Sequence, residues 1–107
     1  MRAARQPPAW ALVVAACVVV ALASLAVPAT LGYDPWAWLV WGREIGRGTL
    51  DTTGGPSWKP LPVAATVGLA PLGDLAVPAF HVLARTLSLL AVVAVWRLGR
   101  RLGGPWA

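Results

Sequence analysis

The chain has 107 residues, of which 58% are apolar, and a mean hydropathy of +0.67; soluble domains carry about 45–50% apolar residues. That length allows one small domain, and that composition belongs to a membrane protein. The net charge of +5 would suggest nucleic acid in a soluble protein, but Arg2, Arg5, Arg97, Arg100 and Arg101 flank apolar segments and read as topology signals, so no nucleic acid partner is expected.

The single cysteine precludes an internal disulfide, and no Cys or His cluster has metal spacing, which excludes structural zinc. One lysine among nine basic residues, with abundant Ala, Gly and Pro, suits a GC-rich bacterial genome.

Residues 1–8 carry Arg2 and Arg5 and read as a cytoplasmic N-terminus. From Ala9 to Val27 the chain is interrupted only by Ser24, and about 20 apolar residues cross a bilayer, so a transmembrane helix is expected over 9–30. A secretory signal has a shorter apolar region of about 7–15 residues, which favours a retained helix over a cleaved one. "VAAC" at Val14 to Cys17 has the residue types of a lipoprotein box. More apolar residues follow, however, where a polar tether would be expected, so Cys17 reads as a lipid- or helix-facing residue.

Residues 31–74 form a polar, Trp-rich loop. The stretch "YDPWAWLVWGREIGRGTLDTTGGPSWKPLP" holds three of the four acidic residues, the only lysine and four of the seven tryptophans. Asp34-Pro35 is a helix start, with Asp34 as cap. A helix over 35–47 would put Trp38, Trp41 and Ile45 on one side and Arg43 and Arg47 opposite, the geometry of a helix lying on a bilayer with Trp inward. Glu44 and Arg47, three apart, suit a helix pair, and Asp51 suits a turn. A second interfacial helix is expected over 60–72. A helix of that order spans about 21 Å against about 30 Å of hydrocarbon, and it is broken by Pro60, Pro62 and Pro71.

A second transmembrane helix is expected over 75–98, followed by a cytoplasmic end over 99–107. His81, Arg85 and Ser88 share one of its faces. An arginine near a helix centre costs about 2.5–3.5 kcal/mol on insertion scales, so Arg85 must pair, snorkel or line a wet cavity. If the 60–73 segment stays outside, all five terminal arginines lie inside the cell. The fold class expected is an all-α membrane protein: two transmembrane helices joined by an extracytoplasmic loop with two short juxtamembrane helices, in the cytoplasmic membrane, N-terminus inside. The ending "RRLGGPWA" reads as a basic turn opening toward further helices, hence as a truncated chain.

"YDPWAW" after the first membrane helix, then "GTLD", "WKPLP" and "LARTLSLLAVVAVWRLGRRLGG" resemble the opening of the membrane-integral C-type glycosyltransferases that use polyprenyl-phosphate sugars, among them protein O-mannosyltransferases, aminoarabinose transferases and oligosaccharyltransferase. The resemblance implies transfer of a sugar from a polyprenyl-phosphate donor on the extracytoplasmic side, with activity needing the remaining helices of the parent protein. By position, Asp34 matches the catalytic acidic residue leading the first outer loop, and Lys59 with Pro60 matches a lysine-proline pair near the lipid phosphate. Arg85 would line the same phosphate cavity. A carboxylate can take the acceptor proton and a cation can stabilise the departing phosphate. No resident cofactor is implied, and the metal requirement stays open. Many relatives follow the aspartate with a second acid; here it is Pro35, as in oligosaccharyltransferases. The competing reading is a small two-span membrane protein that binds or scaffolds a membrane partner through its loop.

Overall fold

The computed structural model describes residues 4–104, whose regular elements are all helices, with no strand among them. Arg2, one of the expected topology signals, lies outside the described residues, as does the stretch 105–107. Helices α1 (Ala9–Ala23), α2 (Tyr33–Arg47), α3 (Pro60–Leu69) and α4 (Ala76–Gly103) follow in order, with 3₁₀ turns at Ser24–Ala26 and Ala70–Leu75. The chain divides into two compact units, one holding α1 and the part of α4 from Val82 onward, the other spanning Val27–His81. Two helical stretches, Ala9–Ala26 and Pro60–Gly103, are long and apolar enough to cross a membrane.

In the first unit, Pro8 begins α1: its carbonyl accepts the N–H groups of Ala11 at 2.9 Å and Leu12 at 3.3 Å. Helical structure stops at Ala26, short of the expected residue 30. The Ser24 hydroxyl donates to the Ala21 carbonyl at 2.6 Å in the tightened last turn, and Pro28 disfavours the helical conformation in the residue before it. Cys17 and Ala21 are the buried residues of α1, so Cys17 faces protein. Helix α4 runs to Gly103, past the expected end at residue 98. Arg97, Arg100 and Arg101 therefore stand on its last turns, where cations suit the helix dipole, and the Arg100 guanidinium lies 5.2 Å from the Trp96 ring centroid.

In the second unit, α2 starts earlier than the sequence suggests, and the cap is Gly32, with no side-chain cap hydrogen bond. Asp34 is thus a first-turn residue and not the cap. Pro35 still falls within the first turn, where its missing N–H costs nothing. The helix ends in a Schellman motif: Gly48 is left-handed at φ 71°, its N–H bonds to Ile45 O at 3.1 Å, and Thr49 N–H bonds to Glu44 O at 2.9 Å. Helix α3 opens with Pro60 at its first position after an extended Lys59, the arrangement proline's fixed φ favours.

These two helices meet at Gly42. A Cβ there would sit 2.5 Å from Thr66 Oγ1 and 2.7 Å from the Thr66 carbonyl carbon. The fully buried Thr66 hydroxyl shares its proton between Trp38 O and Val63 O, both at 2.7 Å. Leu39, Trp41 and Val63 close the core, joined by a tilted Trp41–Trp58 pair at 5.5 Å and a Trp38–Phe80 pair at 6.4 Å.

This corrects the expected bilayer-facing stripe of Trp38, Trp41 and Ile45. Trp41 is 3% exposed inside the unit, while Ile45, Trp36 and Val40 are exposed. The physical reason is Gly42, whose missing side chain makes that side of α2 the contact with α3. Arg43 and Arg47 are exposed.

Two glycines four residues apart give opposite expectations. Gly42→Ala should destabilise the α2–α3 unit by about 1–3 kcal/mol, the usual cost of overpacking. Gly46→Ala, where an added Cβ meets nothing within 4 Å, should stabilise it by about 0.5–1 kcal/mol through helix propensity. Denaturation followed by tryptophan fluorescence reads both.

Candidate functional site

Asp34 stands exposed in the first turn of α2, where a negative charge is favoured by the unpaired N–H groups of the helix end. Lys59 is exposed at the N-cap of α3, and its backbone carbonyl accepts the Val63 N–H at 3.3 Å. The two helices carrying them are locked together at Gly42, so both side chains are mounted on one packed unit. Arg85 belongs to the other unit, where Nη1 donates to Ser24 Oγ at 2.7 Å.

Neither Asp34 nor Lys59 lines the cleft of about 580 Å³ beside α2. Its walls include Tyr33, Trp36, Trp41, Glu44, Asp51 and Thr53. The cleft is built by the return of the loop after the Schellman turn. Glu44 Oε2 accepts the Asp51 N–H at 3.1 Å, and Trp41 Nε1 donates to Asp51 O at 3.1 Å. Asp51 Oδ1 accepts from the Thr53 hydroxyl at 2.6 Å and the Thr53 N–H at 2.9 Å. These bonds, the hydroxyl's first, hold the Asp51 carboxyl below the ordinary carboxylate range. Asp51 is the turn residue its type suggests, while Glu44 is tied to the returning loop.

Chemically, this cleft offers aromatic faces beside carboxylate oxygens, a surface that suits a ligand with an apolar face and hydroxyl donors. The sequence reading missed Tyr33, Trp36, Glu44 and Asp51 as one group. Tyr33, Ala37, Val40 and Glu44, spaced at three and four, mark the second stripe of α2 that would have signalled it.

A second cleft of about 350 Å³ near the end of α2 is lined by Arg43, Arg47, Gly46, Pro71, Gly73 and Asp74, a partly neutralised basic surface. Trp38 Nε1, His81 Nε2 and Thr86 Oγ1 are buried without a hydrogen-bond partner among the described residues. No three His, Cys, Asp or Glu side chains among the described residues group closely enough to hold a metal ion.

Because Asp51 is held below its ordinary value, its turn contributes stability that is complete above the ordinary carboxylate pKa. That contribution is lost as pH falls through the lowered one. Acidification should therefore shift Trp41 emission as the loop loosens, and Asp51→Asn, which keeps an acceptor without the titration, should flatten that step in a Glu44→Gln background. No family model, curated protein sequence or solved structure matches this chain.

Proposed function

We propose that this chain is the N-terminal portion of an integral membrane glycosyltransferase that takes a sugar from a polyprenyl-phosphate donor on the extracytoplasmic side. The chain is multi-pass in the cytoplasmic membrane, with its N-terminus inside, the Val27–His81 unit outside, and α2 and α3 as its juxtamembrane helices. Alone it is inactive, because the acceptor site and most of the donor site come from the remaining helices of the parent.

The observation that carries the reading is the placement of Asp34 and Lys59 on one packed unit. Each is exposed at the amino-terminal end of one of two helices that pack through a residue without a side chain. That mounting holds a carboxylate and an ammonium on a rigid support, as positioned general-base and phosphate-binding groups require. Asp34 takes the proton of the acceptor hydroxyl, and Lys59 stabilises charge on the departing lipid phosphate. The aromatic and carboxylate-lined cleft beside α2 supports a sugar as the class of molecule handled by this unit.

In the parent enzyme, Asp34→Asn should lower transfer of radiolabelled sugar from a polyprenyl-phosphate donor by about 10²–10⁴-fold, the usual contribution of a general base. Since Gly32 is the cap, the structural cost of this change is confined to the dipole interaction of about 0.3–1 kcal/mol, so protein level should hold. Lys59→Ala should mainly raise the donor KM. Near-normal activity for Asp34→Asn would remove it as the base.

Topology is read separately. In a Cys17→Ala background, cysteines at exposed Thr52 and Leu72 should react with an impermeant thiol reagent from outside, and one at Leu102, 80% exposed, only after lysis. Outside labelling at Leu102 with protection at Leu72 would reverse the second half of the topology.

A further inference from the structure

The cleft beside α2 holds half of the chain's acidic residues and none of its basic ones: Glu44 and Asp51 stand in its walls, with no Lys or Arg beside them. In a chain of net charge +5 that is a local reversal of sign. The field of the whole chain repels cations, so a cation bound here is held by the cleft's own groups.

Each carboxylate is fixed through one oxygen and open through the other. Glu44 Oε2 accepts the Asp51 N–H, and Asp51 Oδ1 accepts the hydroxyl and N–H of Thr53. Glu44 Oε1 and Asp51 Oδ2 accept nothing among the described residues. A carboxylate offers acceptors alone, so the group that completes these two must be a donor. The Thr53 bonds, which hold the Asp51 carboxyl below the ordinary range, also keep it charged.

The rest of the cleft is aromatic. Trp41 is fixed in place by its Nε1 bond to Asp51 O and by Gly55, where an added Cβ would come within 3.0 Å of the indole ring. Exposed Trp36 and Tyr33 continue that wall, and Tyr33 lies eleven residues before Glu44, about 16 Å along α2. Carboxylates alone would suit a metal ion, but hard cations take six or more oxygen ligands, and no third acidic, Cys or His side chain among the described residues joins these two. Aromatic faces alone would suit any ring. Together they select a positive group with N–H donors on an organic body, since ring faces attract cations as well as apolar surface.

We infer that this cleft is a binding site for an organic ammonium compound, whose N–H donors reach Glu44 and Asp51 while its carbon body lies along Trp36 and Tyr33. The inference rests on the cleft alone. It adds a positive charge to the apolar face and hydroxyl donors that the cleft suits, and it needs neither the membrane reading nor the roles given to Asp34 and Lys59.

The test uses the full chain in micelles of a polyoxyethylene detergent, which present neither charge nor sugar. Calorimetric titration at neutral pH compares trans-4-aminocyclohexanol with trans-1,4-cyclohexanediol, which share a ring and a hydroxyl and differ in one ammonium. The amine should bind about tenfold more tightly. That advantage should vanish in the double variant Glu44→Gln, Asp51→Asn while the diol still binds, which reads the cleft as standing, and it should persist in Asp74→Asn, where an acid outside this cleft is removed. Equal binding of amine and diol to the wild-type chain would overturn the inference, and this comparison depends on no variant folding. An advantage that survives the double substitution, or that is lost in Asp74→Asn, would also overturn it. So would abolition of the advantage by an equal concentration of calcium chloride, in favour of a metal site. Sugar transfer by the parent enzyme is measured separately, so the two readings fail independently.

Discussion

Where α2 crosses α3, Gly42 presents no side chain, and the hydroxyl and backbone of Thr66 fill the space. Everything in the Val27–His81 unit follows from that approach. It turns the Trp41 side of α2 inward, which brings Trp41 against Trp58 and within hydrogen-bond reach of Asp51 O, and so fixes the returning loop and the cleft it walls. The Thr66 hydroxyl can serve this contact because it lies between two carbonyls at equal distance. A buried donor with two acceptors at hand is not left unpaired, and leaving it so would cost about 1–3 kcal/mol.

The other unit is held differently. Few of its described residues are buried, Cys17 and Ala21 on α1 and Thr86 on α4, and two apolar helices, were they in lipid, would gain little by hiding apolar surface from each other. In that setting a polar contact such as Arg85 to Ser24 would carry more of the specificity than it does in water. Side chains of two kinds thus define the two units: missing bulk at Gly42 in one, a charge with spare donors in the other.

The all-helical class and the two apolar stretches of membrane length were legible in the sequence, because their signals are local: proline and glycine at ends and long apolar runs. What it could not supply was the neighbour of each face. The period of Trp38, Trp41 and Ile45 correctly marks a stripe on α2, but periodicity cannot tell lipid from α3; the adjoining Gly42 was the available hint. Asp34 looks like a cap by residue type, yet Gly32 already provides the extended backbone a cap needs. Apolarity fades at Arg97, but Arg and Leu are good helix formers, so α4 continues until Gly103 and Gly104. Asp34 and Lys59 were legible as helix-end residues. The Glu44 and Asp51 cleft was not, because those residues are joined only through the folded path of the loop.

Gly73 has a bearing on the length of the helices on either side of it. It sits at φ 58° and ψ −122°, a combination open to glycine and closed to residues with a Cβ. It is the point at which an apolar stretch of 44 residues, Pro60–Gly103, ceases to be one rod. An uninterrupted helix of that length would extend about 66 Å, more than twice the hydrocarbon thickness, and would offer a membrane-insertion apparatus several overlapping windows from which to choose a span. The bend at Gly73 divides that stretch into α3 and the longer α4, so that neither rod exceeds about 42 Å. The reach of each rod is thereby set by the backbone freedom of one residue.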